Sequence, residues 1–115
     1  MLAETIDAGY RLLVTHAPTS RPQGLRGLWD ILRARSVDAA VLVTQDSESG
    51  KPVFVAAATD QAVAAGFDAG AVVRAMSPAL GGRGGGKPGM AQGGGEDAAG
   101  IDRALDIART MLGSG

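Results

Sequence analysis

Nine of the fifteen residues from Gly81 to Gly95 are glycine, in the order Gly81-Gly82-Arg83-Gly84-Gly85-Gly86-Lys87-Pro88-Gly89-Met90-Ala91-Gln92-Gly93-Gly94-Gly95. Such a stretch brings almost no apolar side chain to a core. The remainder of the 115-residue chain must build that core around it. What glycine does offer is backbone freedom at φ > 0 and close approach of one backbone to another group. The segment is therefore either a ligand-facing backbone surface or a place where elements pack unusually tightly.

The surrounding pattern fixes the class. Arg11 to His16 is a short apolar run, expected to be a buried strand. Pro18 and Pro22 bracket a loop. Leu25, Leu28, Trp29 and Leu32 then fall on one face of a helix that stops near Ser36. Arg26, Asp30 and Arg33 occupy its solvent side. Trp29 belongs with the apolar stripe, so it is read as core. Ala39 to Thr44 is apolar throughout, as in a strand covered on both faces. Asp46 to Gly50 is turn chemistry, and Val53 to Ala57 completes a hairpin. Thr59-Asp60 caps a helical turn ended by Gly66. Asp68 precedes a helix with Val72, Val73, Met76 and Leu80 on one face, bent or ended by Pro78. Asp97 opens a last helix with Ile101, Leu105, Ala108 and Leu112 in line, and Glu96 and Asp97 suit its N-terminus. Met90-Ala91-Gln92 is read as a fourth strand. The expected fold is α/β, a mixed sheet of about four strands packed with helices. Leu25, Leu28, Leu32, Val41, Val43, Val53, Val55, Ile101 and Leu105 are its expected core.

One domain is expected at this length. Residues 1–9 read as the end of a longer linker helix, with Leu2 to Asp7 as its frayed turn. Residues 10–112 form the globular unit, and Gly113-Ser114-Gly115 reads as a linker or cloning scar. The absence of cysteine excludes disulfides and thiolate metal sites and suits a cytoplasmic protein. No apolar run reaches the roughly 20 residues of a membrane helix, so no membrane partner is expected. The net charge of -1 argues against a sequence-blind nucleic-acid binder but leaves room for a local basic patch. With only Tyr10, Trp29, Phe54 and Phe67 as aromatics, a stacking platform for single-stranded bases is not expected. His16, the single histidine, lacks the partners of a metal or catalytic site, and no serine sits in a nucleophile elbow.

Three ligand readings compete for the glycine segment. Gly81, four residues, and Gly86-Lys87 match the start of a phosphate loop, but Pro88 stands where a hydroxyl must hold magnesium. Gly84, Gly86 and Gly89 match a dinucleotide fingerprint, but no strand precedes it and no helix directly follows. The third reading is an anion site in which the amides of Gly84, Gly85 and Gly86 form a nest, Arg83 grips phosphate bidentately, and Lys87 adds a point charge. It is favoured by local charge, since the segment has two cations and no acid in a chain that is acidic overall. Tight packing stays open beside it.

The same fifteen residues closely resemble the signature of the DHH-associated domain family. That family includes C-Ala, the C-terminal domain of alanyl-tRNA synthetase, and domains found beside DHH phosphodiesterases. Leu25-Arg26-Gly27-Leu28-Trp29-Asp30 resembles the family's Leu-Arg-x-x-x-Asp helix. Gly66 to Met76 resembles its Gly-x-x-Ala-Gly-x-x-Val-Lys segment, with Arg74 in the lysine place. The resemblance spans about Tyr10 to Leu112. In the phosphodiesterase branch the motif reads Gly-Gly-Gly-His-Pro; Lys87 stands in the histidine place, which favours the synthetase branch. The resemblance implies a sheet flanked by helices and an accessory module without catalysis or cofactor of its own. It implies tRNA as partner, bound at the elbow where D- and T-loops meet, together with the aminoacylation and editing domains of a parent chain. The expected RNA contacts are Arg83, Gly84, Gly85, Gly86 and Lys87, with Arg21 and Arg26 as secondary contacts. A homodimerisation domain and a nuclease accessory domain are the alternatives.

Overall fold

The computed structural model describes residues 5–7, 11–17 and 22–113. Its strands are β1 (Thr5–Asp7), β2 (Arg11–His16), β3 (Ala39–Gln45), β4 (Pro52–Ala58), β5 (Arg83–Lys87) and β6 (Met90–Gly94). Its helices are α1 (Pro22–Ala34), α2 (Asp60–Ala64), α3 (Ala69–Met76) and α4 (Ile101–Gly113). Short 3₁₀ turns at Ser77–Leu80 and Ala98–Gly100 precede the glycine segment and α4.

The six strands form one mixed sheet in the order β1-β2-β3-β4-β6-β5. Only β2 and β3 run parallel; their connection is α1, as a parallel pair requires a crossover. The uninterrupted apolar run of β3 has the expected cause, for it is covered on both faces. Ala39, Val41 and Val43 join a core with α3 and α4, including Phe54, Val73, Met76, Leu80 and Leu105. Ala40 and Leu42 face the other way into a core with Leu25, Trp29 and Leu32 of α1. Trp29 is 4% exposed, as a core residue should be.

The caps behave as the sequence indicates. The side chain of Thr59 accepts from Ala62 N at the start of α2, and Asp68 Oδ1 accepts from Ala71 N at 3.3 Å at the start of α3. Asp97 Oδ1 accepts from Ala99 N at 3.1 Å before α4. Gly66 has φ +117, which explains glycine at the α2–α3 junction.

Four expectations are revised. The sheet has six strands where about four were expected, because β1 and β5 extend its two edges. Thr5–Asp7, read as a helix end, pairs antiparallel with Arg11–Leu13, the available hydrogen-bonding edge of β2. The proposed strand at Met90 to Gln92 is real but is half of a hairpin with β5, registered Arg83 to Gly94 and Lys87 to Met90 across the Pro88-Gly89 turn. Leu28 and Val53 are partly buried at the margin of the α1 core instead of inside it. Leu28→Ala should therefore cost about 1–2 kcal/mol, less than the 2–5 of a fully enclosed leucine. Urea denaturation measures this directly, and a loss in the full core range would place Leu28 back inside.

Candidate nucleic-acid interface

The glycine hairpin is a strand pair whose two faces have different roles. Successive residues of a strand point to opposite faces. Gly84 faces α3: a Cβ there would collide with Val73 Cγ1 and lie 2.8 Å from Gln92 O. On the adjacent strand, a Cβ on Gly93 would lie 2.7 Å from Phe54 Cζ. From the helix side, a Cβ on Gly70 would lie 2.8 Å from Gly86 O. Helix and hairpin thus meet backbone against backbone. Ala69 N at the start of α3 also donates to Pro88 O at 2.9 Å, tying the turn to the helix. On this face tight packing, left open by the sequence, accounts for the glycines.

The opposite face is open. A Cβ on Gly85 would meet nothing within 4 Å. Strand alternation puts Arg83 and Lys87 on that face with Gly85, and both are exposed. The register sets Gly85 opposite Gln92 and Arg83 opposite Gly94. Arg26 reaches the same face from α1, its Nη2 donating to Gln92 Oε1 at 2.6 Å. Three cations from two distant parts of the chain therefore border one floor whose central side chain is missing. Among the described residues no carboxylate pairs with Arg26, Arg83 or Lys87. Lys51 lines a neighbouring cleft with Gly82 and Arg83, but its ammonium lies 3.1 Å from Glu96 Oε2. Among the described residues, Arg83 is thus the unpaired cation of that cleft.

The structure brings Arg26, Arg83, Lys87 and the backbone of Gly84 to Gly86 together. Arg21 lies outside the described residues. The expected amide nest is not formed: Gly84 to Gly86 lie in a strand paired with β6, and consecutive strand amides point to opposite edges rather than into one hollow. What this face presents is the cationic side chains, not a hollow of convergent amides. Sequence reasoning missed Gln92, which sits at the centre of the open face. Its signal was the turn dipeptide Pro88-Gly89, which makes the flanking residues face one another across a hairpin. Arg33 pairs with Asp30 at 3.3 Å on the solvent side of α1, and His16 is exposed at the end of β2. Among the described residues there is no cluster of three metal-ligating side chains and no helix long and apolar enough to cross a membrane.

The chain as a whole has known counterparts. The family model described as the DHHA1 domain matches residues 9–114. An alanine–tRNA ligase of Dehalococcoides mccartyi is 38% identical over 104 residues, covering 90% of this chain and 12% of that protein. An alanine–tRNA ligase of Cutibacterium acnes is 40% identical over 114 residues, covering 97% of this chain and 13% of that protein. The chain thus spans about an eighth of the length of these relatives. The crystal structure of the C-Ala domain from Aquifex aeolicus alanyl-tRNA synthetase superposes with a TM-score of 0.75 at 26% identity, covering 95% of both chains. Fold, motif and relatives agree: the chain belongs to the DHHA1 domain family, and within it is similar to the C-terminal domain of alanine–tRNA ligases.

Proposed function

We propose that this domain is the tRNA-binding accessory module of an alanine–tRNA ligase, contacting the tRNA elbow and helping to present one tRNA to both the aminoacylation and the editing domains. The observation that carries this reading is the open glycine floor bordered by Arg26, Arg83 and Lys87, without a paired acid among the described residues. Phosphates would meet the cations, while the small side chains let a nucleic-acid backbone approach the sheet closely. Arg83 suits bidentate phosphate contact, and Lys87 supplies a point charge. Similarity to alanine–tRNA ligases, with Lys87 in the histidine place of the nuclease branch, supports the same assignment.

The test is binding to dissected tRNA. A tRNA lacking its acceptor stem should retain affinity, and an isolated acceptor-stem hairpin should bind at least about tenfold more weakly, a difference of 1.4 kcal/mol. The reverse ranking would remove the elbow assignment. Self-association without RNA binding would favour the dimerisation reading, for which the exposed Met111 of α4, 47% accessible, offers one apolar contact.

A further inference from the structure

The open face continues into a cleft of about 450 Å³ between α1 and the β4–β6 strands. It is lined by Leu25, Val53, Phe54, Val55, Gly93 and Gly94, with Leu25, Phe54 and Val55 forming its buried floor, and its one polar side chain is Gln92. Gly94 lines the cleft without a side chain. A Cβ there would make only ordinary contacts, 3.6 Å to Pro52 O and 3.9 Å to Val53 Cγ1, and φ lies outside the left-handed range. Close packing thus does not demand glycine at 94, in contrast to 84 and 93. The volume falls in the range of small-molecule sites, which combine apolar walls with a few polar groups.

We propose that this cleft accepts one unstacked nucleobase of the RNA, with Gln92 hydrogen-bonding to its edge. The inference rests on the reading of the hairpin as an RNA-binding surface. An apolar slot with no acidic lining, whose Gln92 is held by Arg26 and whose Gly94 pairs with Arg83, complements a ligand with a planar apolar face and an anionic backbone. Glutamine presents both a donor and an acceptor, as base-edge recognition requires. Arg26 engages only the carboxamide oxygen of Gln92, so the amide N–H groups are not used in that contact. The guanidinium also holds the Gln92 side chain over the slot. Arg26 therefore acts as a positioning residue for Gln92 as well as a cation. The aromatic stacking platform that the composition makes improbable is not required, because the base is held chiefly by aliphatic and peptide surfaces.

The test uses the whole chain in two measurements. In amide chemical-shift titrations, nucleoside monophosphates should move Val53, Val55 and Gly94, whereas inorganic phosphate should leave these three unmoved and act only at the cationic face. In tRNA binding, Gly94→Val should fill the slot and lower affinity about tenfold with an unchanged salt slope, since the cations remain. A thermal melt matching wild type verifies that the variant is folded. Gln92→Ala, which leaves the slot open, should weaken binding and flatten the preference among the four nucleotides. Should Gly94→Val and Gln92→Ala bind like wild type, with nucleotide shifts confined to the cationic face, the base slot is overturned and the phosphate surface stands. Loss of self-association on Gly94→Val, with tRNA binding intact, would give the slot to a second copy of the chain and likewise overturn it. Absence of wild-type tRNA binding together with absence of nucleotide shifts would remove the hairpin reading and this one with it.

Discussion

Gly84→Ala should destabilise the domain by about 3 kcal/mol or more, whereas Gly85→Ala, one residue away, should change stability by no more than about 0.5 kcal/mol. The two positions share one strand and one composition. They differ only in face. The added methyl at 84 collides with Val73 Cγ1 and lies 2.8 Å from both Gln92 O and Gly93 Cα. Val73 is fully buried in the α3–α4 core and has no room to retreat. The other two neighbours are backbone of the paired strand, so relief requires parting β5 from β6 or lifting α3. At 85 the same methyl points into open space. Urea denaturation of both variants reads the difference. Equal stability would mean that α3 does not rest on the hairpin as described.

That contrast also explains how much of the fold was legible in the sequence. β2, β3 and β4 were visible because apolar runs bounded by turn residues carry a strand signal, and α1, α3 and α4 because their apolar residues recur at helical spacing. Arg83–Lys87 has no such signal. Its strand character comes from pairing with β6 and from α3 packing on Gly84, contacts between residues far apart in sequence. A strand with three consecutive glycines has no side-chain alternation to read, and the same absence hid the difference between its two faces. β1 was missed for another reason: three residues are too few for a period, and only the neighbouring edge of β2 makes them a strand. Leu28 was placed in the core because spacing gives the direction of a helix face but not the edge of what covers it.

The candidate site was legible in part for a related reason. Local charge singled out Arg83 and Lys87, and strand alternation puts both on the open face. The role of the glycines was misplaced. They do not form a nest; one set admits α3, and Gly85 leaves the opposite floor flat. Gln92 and its contact with Arg26 depend on residues 66 positions apart, which only the sheet topology brings together.

Removing the two hairpin cations should produce the largest functional effect. Each phosphate neutralised by a cation releases condensed counterions, so the logarithm of affinity falls linearly with the logarithm of salt concentration. Arg83 and Lys87 are exposed and, among the described residues, unpaired, so neither has an internal carboxylate to compete with RNA. Neither packs against the core, so both can be truncated with little effect on folding. Binding to duplex DNA should stay weak at physiological salt, because a net charge of -1 gives no general attraction beyond this face. The decisive measurement is a salt titration of tRNA binding by wild type and by Arg83→Ala/Lys87→Ala. The phosphate-surface account predicts weaker binding by the double variant and a slope shallower by about two, one for each lost contact. Equal affinities and equal slopes would contradict it and place the RNA elsewhere on the domain.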